Sequence, residues 1–345
     1  MKNIYGWIGM SVLVYAITGW AQHGGHEPAT CCHGMPVAKP APIGVMGDHY
    51  HRAGEVMASY RYMRMHMEGM RDGTSSLSAQ DVFDRGFAVS PREMDMSMHM
   101  IGVMWAPVDQ VTLMAMIPYI EKKADLVTAP GTMPRMMRGE SFRMRSSGWG
   151  DTTVSAIVPV YETAASRTNV NLGVSLPTGS VNEKDDMGPM PYSMQTGSGT
   201  YDLKPGATFA VYRDVFYWGV QASGTIRLDD NRHGYTFGNG AQTTSWLTYG
   251  ARDWLSVSGR VGYEWMDSID GEDDRLMTGT APAVDSANYG GQWLQAGVGV
   301  TLRAPRGVLQ GHRVAVEILW PVYQDLNGPQ MERDYTVIAG WQKAW

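Results

Sequence analysis

Apolar and polar residues alternate along most of the chain after residue 55. Residues 151–160 place four apolar side chains on one face, Val154, Ala156, Val158 and Val160. Similar rows recur in residues 169–176, 216–227, 255–265 and 313–320. Successive side chains of a β-strand point to opposite faces, and strands of membrane barrels direct the apolar face outward and the polar face inward. The pattern therefore predicts strands with one lipid-facing row.

Short and long connections alternate between these predicted strands. The short links lie near residues 107–109, 163–166, 213–214, 251–253 and 304–311, and the long polar stretches near 69–91, 123–147, 179–199, 229–241, 267–290 and 323–333. Outer-membrane barrels join their strands by short periplasmic turns and longer extracellular loops. We predict an all-β fold, a transmembrane antiparallel up-and-down β-barrel of about 12 strands over residues 54–345, with both termini periplasmic.

The beginning of the chain has the pattern of an export signal. Lys2 precedes an apolar stretch over residues 7–18, and Gly19 and Ala21 supply the small residues that a signal peptidase requires. The stretch is shorter than the roughly 20 residues that a membrane-spanning helix needs. We predict a signal peptide over residues 1–21 and a location in the bacterial outer membrane.

The net charge and the predicted last strand indicate which partners the chain has. A net charge of -6 argues against nucleic acid, because binding to phosphates requires a basic face. One face of the predicted last strand carries Tyr335, Val337, Ala339, Trp341 and Trp345. A terminal strand that ends in an aromatic residue resembles the signal read by the barrel-insertion machinery. The expected partners are therefore this machinery, outer-membrane lipid, and a small solute or metal ion.

Methionine is unusually abundant, with 26 residues against six phenylalanines. On two predicted strands the methionines alternate with other residues and share a face that we place in the lumen: Met63, Met65 and Met67, then Met94, Met96, Met98 and Met100. Methionine is an adaptable apolar filler that also suits a wall for hydrophobic solutes. Its thioether is equally a soft ligand for Cu(I). Both interpretations stay open.

Residues 22–53 are rich in Gly, Pro and His and lack strand periodicity, which predicts a periplasmic tail or a plug in the barrel. The candidate metal ligands here are His23, His26, Cys31, Cys32, His33, His49 and His51. Imidazole and thiolate groups bind Cu or Zn. The alternatives are a disulfide between Cys31 and Cys32 in the oxidising periplasm and a soluble His-containing linker.

Charged residues also fall on the predicted luminal faces, namely Arg61, Arg227, Arg260, Glu264, Arg313 and Glu317. Such charges either pair across strands as structural support or select the ions and solutes that pass. No fingerprint of a hydrolase, a metalloprotease or a nucleotide-binding site occurs in the sequence. We therefore predict that the chain is not an enzyme and has no catalytic residues.

Several segments resemble a known family. They are Gly47-Asp48-His49-Tyr50-His51, the stretch from Tyr60 to Gly69, Gly148-Trp149-Gly150-Asp151 and Leu176-Pro177-Thr178-Gly179. They are similar to bacterial outer-membrane "transporter" proteins related to the phenol-degradation-pathway (MetA-pathway) barrels. The resemblance implies an outer-membrane barrel and, loosely, transport.

These observations lead to one leading hypothesis and two alternatives. The leading hypothesis is solute passage, with capture and movement of copper or another soft metal through a Met-lined lumen, and Cu(I) or Cu(II) as the possible bound ion. The first alternative is a channel for small hydrophobic or aromatic compounds. The second is a non-transporting structural or metal-sequestering envelope barrel.

Overall fold

The computed structural model describes residues 40–130 and 141–345, and most of these residues form β-strands. The strands are β1 (Val56–Gly73), β2 (Ser75–Leu77), β3 (Val89–Val108), β4 (Val111–Thr128), β5 (Ser141–Trp149), β6 (Thr152–Glu162), β7 (Ser166–Leu176), β8 (Lys184–Asp185), β9 (Gly188–Pro189), β10 (Asp202–Arg213), β11 (Phe216–Arg227), β12 (Tyr235–Thr236), β13 (Gly240–Arg252), β14 (Leu255–Met266), β15 (Asp270–Gly271), β16 (Gly291–Arg303) and β17 (His312–Ala344). One short helix, α1 (Ala79–Asp84), and two 3-10 turns, Tyr192–Met194 and Pro282–Val284, complete the elements. None of the helices in residues 40–130 and 141–345 has the length and apolar character needed to cross a bilayer.

The strands form one antiparallel sheet that closes on itself. Eleven strands make the wall in the order β17-β16-β14-β13-β11-β10-β7-β6-β4-β3-β1, and β17 pairs with β1 to close it. The two other strands of the sheet, β2 and β5, pair with β1 and β4. Closure leaves no free sheet edge around the wall. The prediction of an all-β antiparallel barrel is confirmed.

The last strand passes along the wall twice. Leu326 pairs with Gly291 of β16 and also with Gly73 of β1, while Ala344 pairs with Met57. An uninterrupted strand of this length would be roughly 110 Å long at about 3.3 Å per residue. The chain therefore turns back after Leu326, where Gly328 has a φ of +75°. With this reversal the wall has twelve strand passes.

The two faces of the wall differ as the alternation predicts. On β3, Ile101, Val103 and Trp105 are 52%, 46% and 48% exposed, whereas the intervening Met104 and Ala106 are buried. Comparable exposed apolar rows occur on β6, β11, β14 and β17. A water-soluble protein rarely exposes so continuous an apolar surface, and a membrane barrel requires one.

The strand bounds correct the predicted connections at one end of the barrel. The short turns lie where predicted, for example between β3 and β4 and between β10 and β11. Three predicted long loops, residues 69–91, 123–147 and 323–333, contain extensions of the strands instead. Ion pairs between neighbouring strands hold these extensions, such as Arg143 to Asp125 at 2.6 Å. Polar side chains there mark where the wall leaves the apolar layer, and the strands continue past that point.

Candidate functional site

An irregular segment before β1 lies inside the barrel, and we call residues 40–51 the inner segment. Ala41, Ile43 and Val45 are buried within it. Side chains from five strands donate hydrogen bonds to its backbone carbonyls: Thr248 to Pro40 (3.1 Å), Arg313 to Ala41 (2.9 Å), Arg61 to Ile43 (3.0 Å), Gln221 to Met46 (2.8 Å) and Asn169 to Gly47 (3.0 Å). Buried carbonyls need partners, and here the polar luminal face supplies them. The wall thus fixes the path of the inner segment.

Gly44 lies close to the wall at a buried ion pair. Its backbone N–H donates to Glu317 Oε2 at 2.9 Å, and Glu317 Oε1 accepts from Arg260 Nε at 2.7 Å. A Cβ atom on residue 44 would lie 2.6 Å from Arg260 and 2.7 Å from Ile338. A side chain at residue 44 would have to displace the ends of Arg260, Glu317 and Ile338, which favours glycine beside this buried ion pair.

Asp48 is a second charged anchor of the inner segment. Its carboxylate accepts a 2.7 Å hydrogen bond from His49 Nδ1 and lies 3.7 Å from Arg167. Burial by itself would raise the pKa of Asp48, but His49, Arg167 and Arg313 together hold that pKa well below its ordinary value. The carboxyl group is therefore ionised at neutral pH.

Above the inner segment the lumen contains a cavity of about 680 Å³. One wall of the cavity is formed by four methionines, Met98, Met100, Met114 and Met116. The rest of the lining includes amide and hydroxyl side chains, such as Asn171, Gln221 and Thr244, and charged side chains, such as Lys204 and Glu264. Gly44–Gly47 lie at one end and Gln195–Ser198 at the other. The cavity is therefore apolar on one side and hydrogen-bonding on the other.

Residues 178–201, which we call the cap loop, close the end of the cavity away from the inner segment. Lys122 Nζ donates to the carbonyls of Ser193 (2.7 Å) and Gln195 (2.6 Å). Ser146 Oγ donates to the Met194 carbonyl at 2.6 Å. These side chains belong to β4 and β5, so the extended part of the wall holds the cap loop over the lumen.

Three tyrosines join the cap loop to neighbouring loops. The ring of Tyr192 lies 4.7 Å from that of Tyr235 and 5.7 Å from that of Tyr289, both edge to face. The Tyr289 hydroxyl accepts from the backbone N–H of Ser193 and donates to the Ala283 carbonyl. Burial raises the pKa of Tyr235 to about 12, so its hydroxyl is neutral at neutral pH. The loops form one packed layer with their polar groups paired.

The family comparison agrees with this architecture. The model of the family described as "Putative MetA-pathway of phenol degradation" matches residues 104–310, which is more than half of the chain. The chain belongs to this family. No curated protein sequence matches the chain.

A solved outer-membrane channel shows the same fold. The crystal structure of an outer-membrane channel from Pseudomonas putida F1 has a TM-score of 0.59 at 8% identity and covers 89% of this chain and 100% of that chain. A FadL homologue from Pseudomonas aeruginosa has a TM-score of 0.39 at 8% identity, with 84% and 89% covered. The KdgM porin has a TM-score of 0.39 at 9% identity, with 83% and 98% covered. The fold is that of bacterial outer-membrane barrels.

Two motifs that carry the resemblance to the MetA-pathway family meet in space. Thr178 Oγ1 donates to the Gly150 carbonyl and accepts from the Thr152 N–H, both at 2.9 Å. Asp151 accepts from the backbone N–H groups of Gly179 (2.9 Å) and Ser198 (2.7 Å). The two motifs therefore fasten both ends of the cap loop at the junction of β5 and β6, which is a structural role.

The structure places the candidate methionines on the inward face in two different environments. Three pairs oppose each other directly between β1 and β3: Met63 with Met98, Met65 with Met96 and Met67 with Met94. Met98 and Met100 line the cavity, whereas Met94 is buried with Met144, Met190 and Met194 under the cap loop. Met67 and Met94 of the stripe therefore pack beneath the cap loop, whereas Met98 and Met100 face the cavity.

The candidate luminal charges are all engaged. Arg260 pairs with Glu317, Glu264 with Arg333 at 2.8 Å, and Arg227 with Asp202. Arg61 and Arg313 donate to carbonyls of the inner segment. Sequence reasoning missed Arg333 and Asp202, which pair with Glu264 and Arg227. It also missed Arg167, which lies near Asp48 of the inner segment. Parity placed Arg333 on the outer face beside Tyr335, but a register shift between His66 and Met67 turns Arg333 inward.

Of the candidate ligands in residues 22–53, only His49 and His51 lie among the described residues, and their rings are 5.3 Å apart. His23, His26, Cys31, Cys32 and His33, and the predicted signal peptide, lie outside them. A further group with metal-ligand spacing, His66, Glu93 and Asp95, was not predicted. There Arg64 already binds both oxygens of Asp95 at 3.0 Å, so a cation would have to displace a guanidinium group.

Proposed function

We propose that the barrel conducts small amphipathic organic solutes, such as a hydroxylated aromatic ring, across the outer membrane. The observation that carries this proposal is the two-sided cavity, with Met98, Met100, Met114 and Met116 on one wall and amide, hydroxyl and charged groups on the other. The family description, which refers to phenol degradation, supports the same class of solute.

The chemistry of the two walls suits such a solute. Thioethers are polarizable and make favourable contacts with aromatic rings, worth about 0.3–1.5 kcal/mol each. Side chains such as Gln221 and Gln242 offer both donors and acceptors to a hydroxyl group. A volume of about 680 Å³ lies in the range of cavities that accept small organic ligands.

Passage requires movement at each end of the cavity. We propose that the inner segment acts as a plug on the side of the short turns and that the cap loop acts as a gate at the other end. On this proposal the short turns face the periplasm and the extended strands face the exterior. Each closure consists of a small number of contacts, which a passing solute could exchange for its own.

The test compares methionine variants in vesicles that contain lipopolysaccharide, which slows the background leak of phenol. Changing both Met98 and Met100 to Gln places amides on the apolar wall, and burying an unpaired amide costs about 1–3 kcal/mol, or about 5- to 150-fold in flux. The double change to Leu keeps the wall apolar and should preserve phenol flux. Met277→Gln is the matched control, because Met277 is 78% exposed in a loop. Undiminished phenol flux through the Gln variant would contradict the proposal.

A second candidate function is the capture and movement of Cu(I). The observation that favours it is the three opposed methionine pairs, because directly opposed residues on neighbouring strands have Cβ atoms about 4.5–5.5 Å apart. Two thioethers at such a separation could share one soft ion. Weak sites in sequence would also permit release.

The copper hypothesis has its own measurement, competition between the full chain and a chromogenic Cu(I) chelator. Changing Met65 and Met96 to Leu should remove a binding equivalent, and Met277→Leu should not. Equal Cu(I) binding by both variants would leave the solute proposal standing alone. A barrel that binds no Cu(I) and conducts neither phenol nor ions would instead support the structural alternative. That the chain has no catalytic activity stays a prediction.

A further inference from the structure

Two histidines at the end of the inner segment share an unusual arrangement. The rings of His49 and His51 have centroids 5.3 Å apart and planes inclined by 73°. Each uses its Nδ1 atom for a carboxylate: His49 contacts Asp48 at 2.7 Å, and His51 contacts Glu55 at 3.2 Å. Both Nε2 atoms are therefore left for another partner.

These hydrogen bonds determine which nitrogen of each ring carries the proton. A carboxylate only accepts hydrogen bonds, so in each neutral ring Nδ1 carries the proton and Nε2 keeps a lone pair. Histidines that bind metals usually have this arrangement, in which a carboxylate accepts from the ring nitrogen that does not bind the ion.

The Nε2 atom of His51 is buried and has no hydrogen-bond partner within residues 40–130 and 141–345. His51 itself is only 7% exposed. Buried polar atoms are nearly always paired, so an unpaired acceptor at this depth indicates a missing partner. An electron-pair acceptor, such as a metal ion, would be a suitable partner for the lone pair of His51 Nε2.

The wall holds the segment that carries both rings. The His51 N–H donates to Thr112 Oγ1 at 2.8 Å, and Asn169 donates to the Gly47 carbonyl at 3.0 Å. Two imidazoles on one tetrahedral ion, each with a metal–nitrogen bond of about 2.0–2.1 Å, have ring centres roughly 5 Å apart. The ring separation of His49 and His51 matches that value.

We propose that His49 and His51 bind one first-row divalent transition-metal ion, Cu²⁺ or Zn²⁺, through their Nε2 atoms, with Asp48 and Glu55 orienting the rings. Imidazole suits these borderline ions, whereas the methionine stripe suits the softer Cu(I). Water would fill the remaining positions. The site is separate from the solute cavity walls, and the proposal does not depend on the identity of the solute.

The test uses the full chain with the other candidate ligands of residues 22–53 replaced: His23→Asn, His26→Asn, His33→Asn, Cys31→Ser and Cys32→Ser. Cu²⁺ alone is the probe, followed by calorimetry and by electron paramagnetic resonance. We expect one ion per chain and a spectrum with two imidazole nitrogens. His51→Gln in this background should leave at most one coupled nitrogen.

Two further variants keep the result interpretable. Glu55→Gln leaves both imidazoles in place and should weaken Cu²⁺ binding by about 10–100-fold, the usual effect of changing an outer partner. His312→Gln is the control, because His312 Nδ1 is already bonded to Trp341 on the wall. Heat-modifiable migration on gels verifies that each barrel is folded. Absence of Cu²⁺ binding in the folded background chain, or an unchanged two-nitrogen spectrum in His51→Gln, would overturn the proposal.

Discussion

The inner segment and the cap loop, at the two ends of the cavity, are held by different kinds of interaction. At the inner segment, Arg61 and Glu317 bind backbone groups, while Ile43 and Val45 pack in apolar clusters against the wall. Under the cap loop, Met94, Met190 and Met194 pack together with other apolar side chains. Buried charges thus distinguish the contacts of the inner segment, and methionine packing those of the cap loop, and substitutions should separate these two contributions.

The largest effect is expected at the buried ion pair. Glu317→Ala leaves Arg260 buried without its partner and also removes the acceptor for the Gly44 N–H. Loss of one member of a buried pair costs about 3–5 kcal/mol. The free energy of unfolding in urea should fall by this amount, and the ionic conductance should rise because the inner segment is released. An unchanged conductance would mean that the segment does not obstruct the lumen.

A comparable loss of stability should follow from removing side-chain volume beneath the cap loop. Met194 is 2% exposed in the cluster beneath the cap loop, and Met194→Ala should destabilise that layer by about 2–5 kcal/mol. Hydrogen exchange of residues 178–201 should accelerate while residues 40–51 stay protected. Met194→Leu conserves volume and serves as the control, with a cost below about 1.5 kcal/mol. Equal acceleration at both ends would show that the two closures are coupled.

A smaller effect is expected from Gly44→Ala, which adds one carbon atom against Arg260 and Ile338. Overpacking of this kind costs about 1–3 kcal/mol, and here it acts on the position of the inner segment. Conductance should increase without loss of the barrel. Gly259→Ala is the matched control, because nothing lies within 4 Å of the added atom. Similar conductance for the two variants would contradict the close fit at Gly44.

The smallest effect concerns pH at the cap. Asp273 lies in a loop and pairs with Arg275 at 2.6 Å. Burial raises its pKa, but Arg275 outweighs burial and holds the pKa below the ordinary value of 3.8. Such a carboxyl group stabilises the fold above pH 3.8, and this contribution is lost as the pH falls through the lowered pKa. Cap protection in hydrogen exchange should therefore be constant near neutrality and fall in acid, and Asp273→Asn should remove this dependence.

The wall could be predicted from the sequence because lipid imposes one rule on every strand. Residues such as Val257 and Val261 must face outward, so a period of two identifies both faces and the turns between them. The inward position of Arg333 could not be predicted, since a local register shift reverses the parity there. Register shifts of this kind leave no clear signal in the alternation.

The contacts within the lumen could not be predicted from the sequence either. Thr248 and Gln221 lie far along the chain from Pro40 and Met46, whose carbonyls they bind. Many polar residues occupy the inward rows, and no local pattern selects which one meets a given carbonyl. The methionine stripe was visible, but its division into a packed part and a cavity-facing part depends on the cap loop, whose path is set by tertiary contacts such as those of Lys122.

The pairing of β1 with β17 has a consequence for how the protein is made. Met57 pairs with Ala344, so the seam joins the first strand of the wall to the end of the chain. Contacts between residues so distant in sequence form slowly, and this one cannot form before Ala344 has been synthesised. Because the inner segment directly precedes β1, it must be inside when the seam closes or be threaded in afterwards. The inner segment can therefore enter the barrel either before or after β1 pairs with β17. This pairing is the step that encloses it.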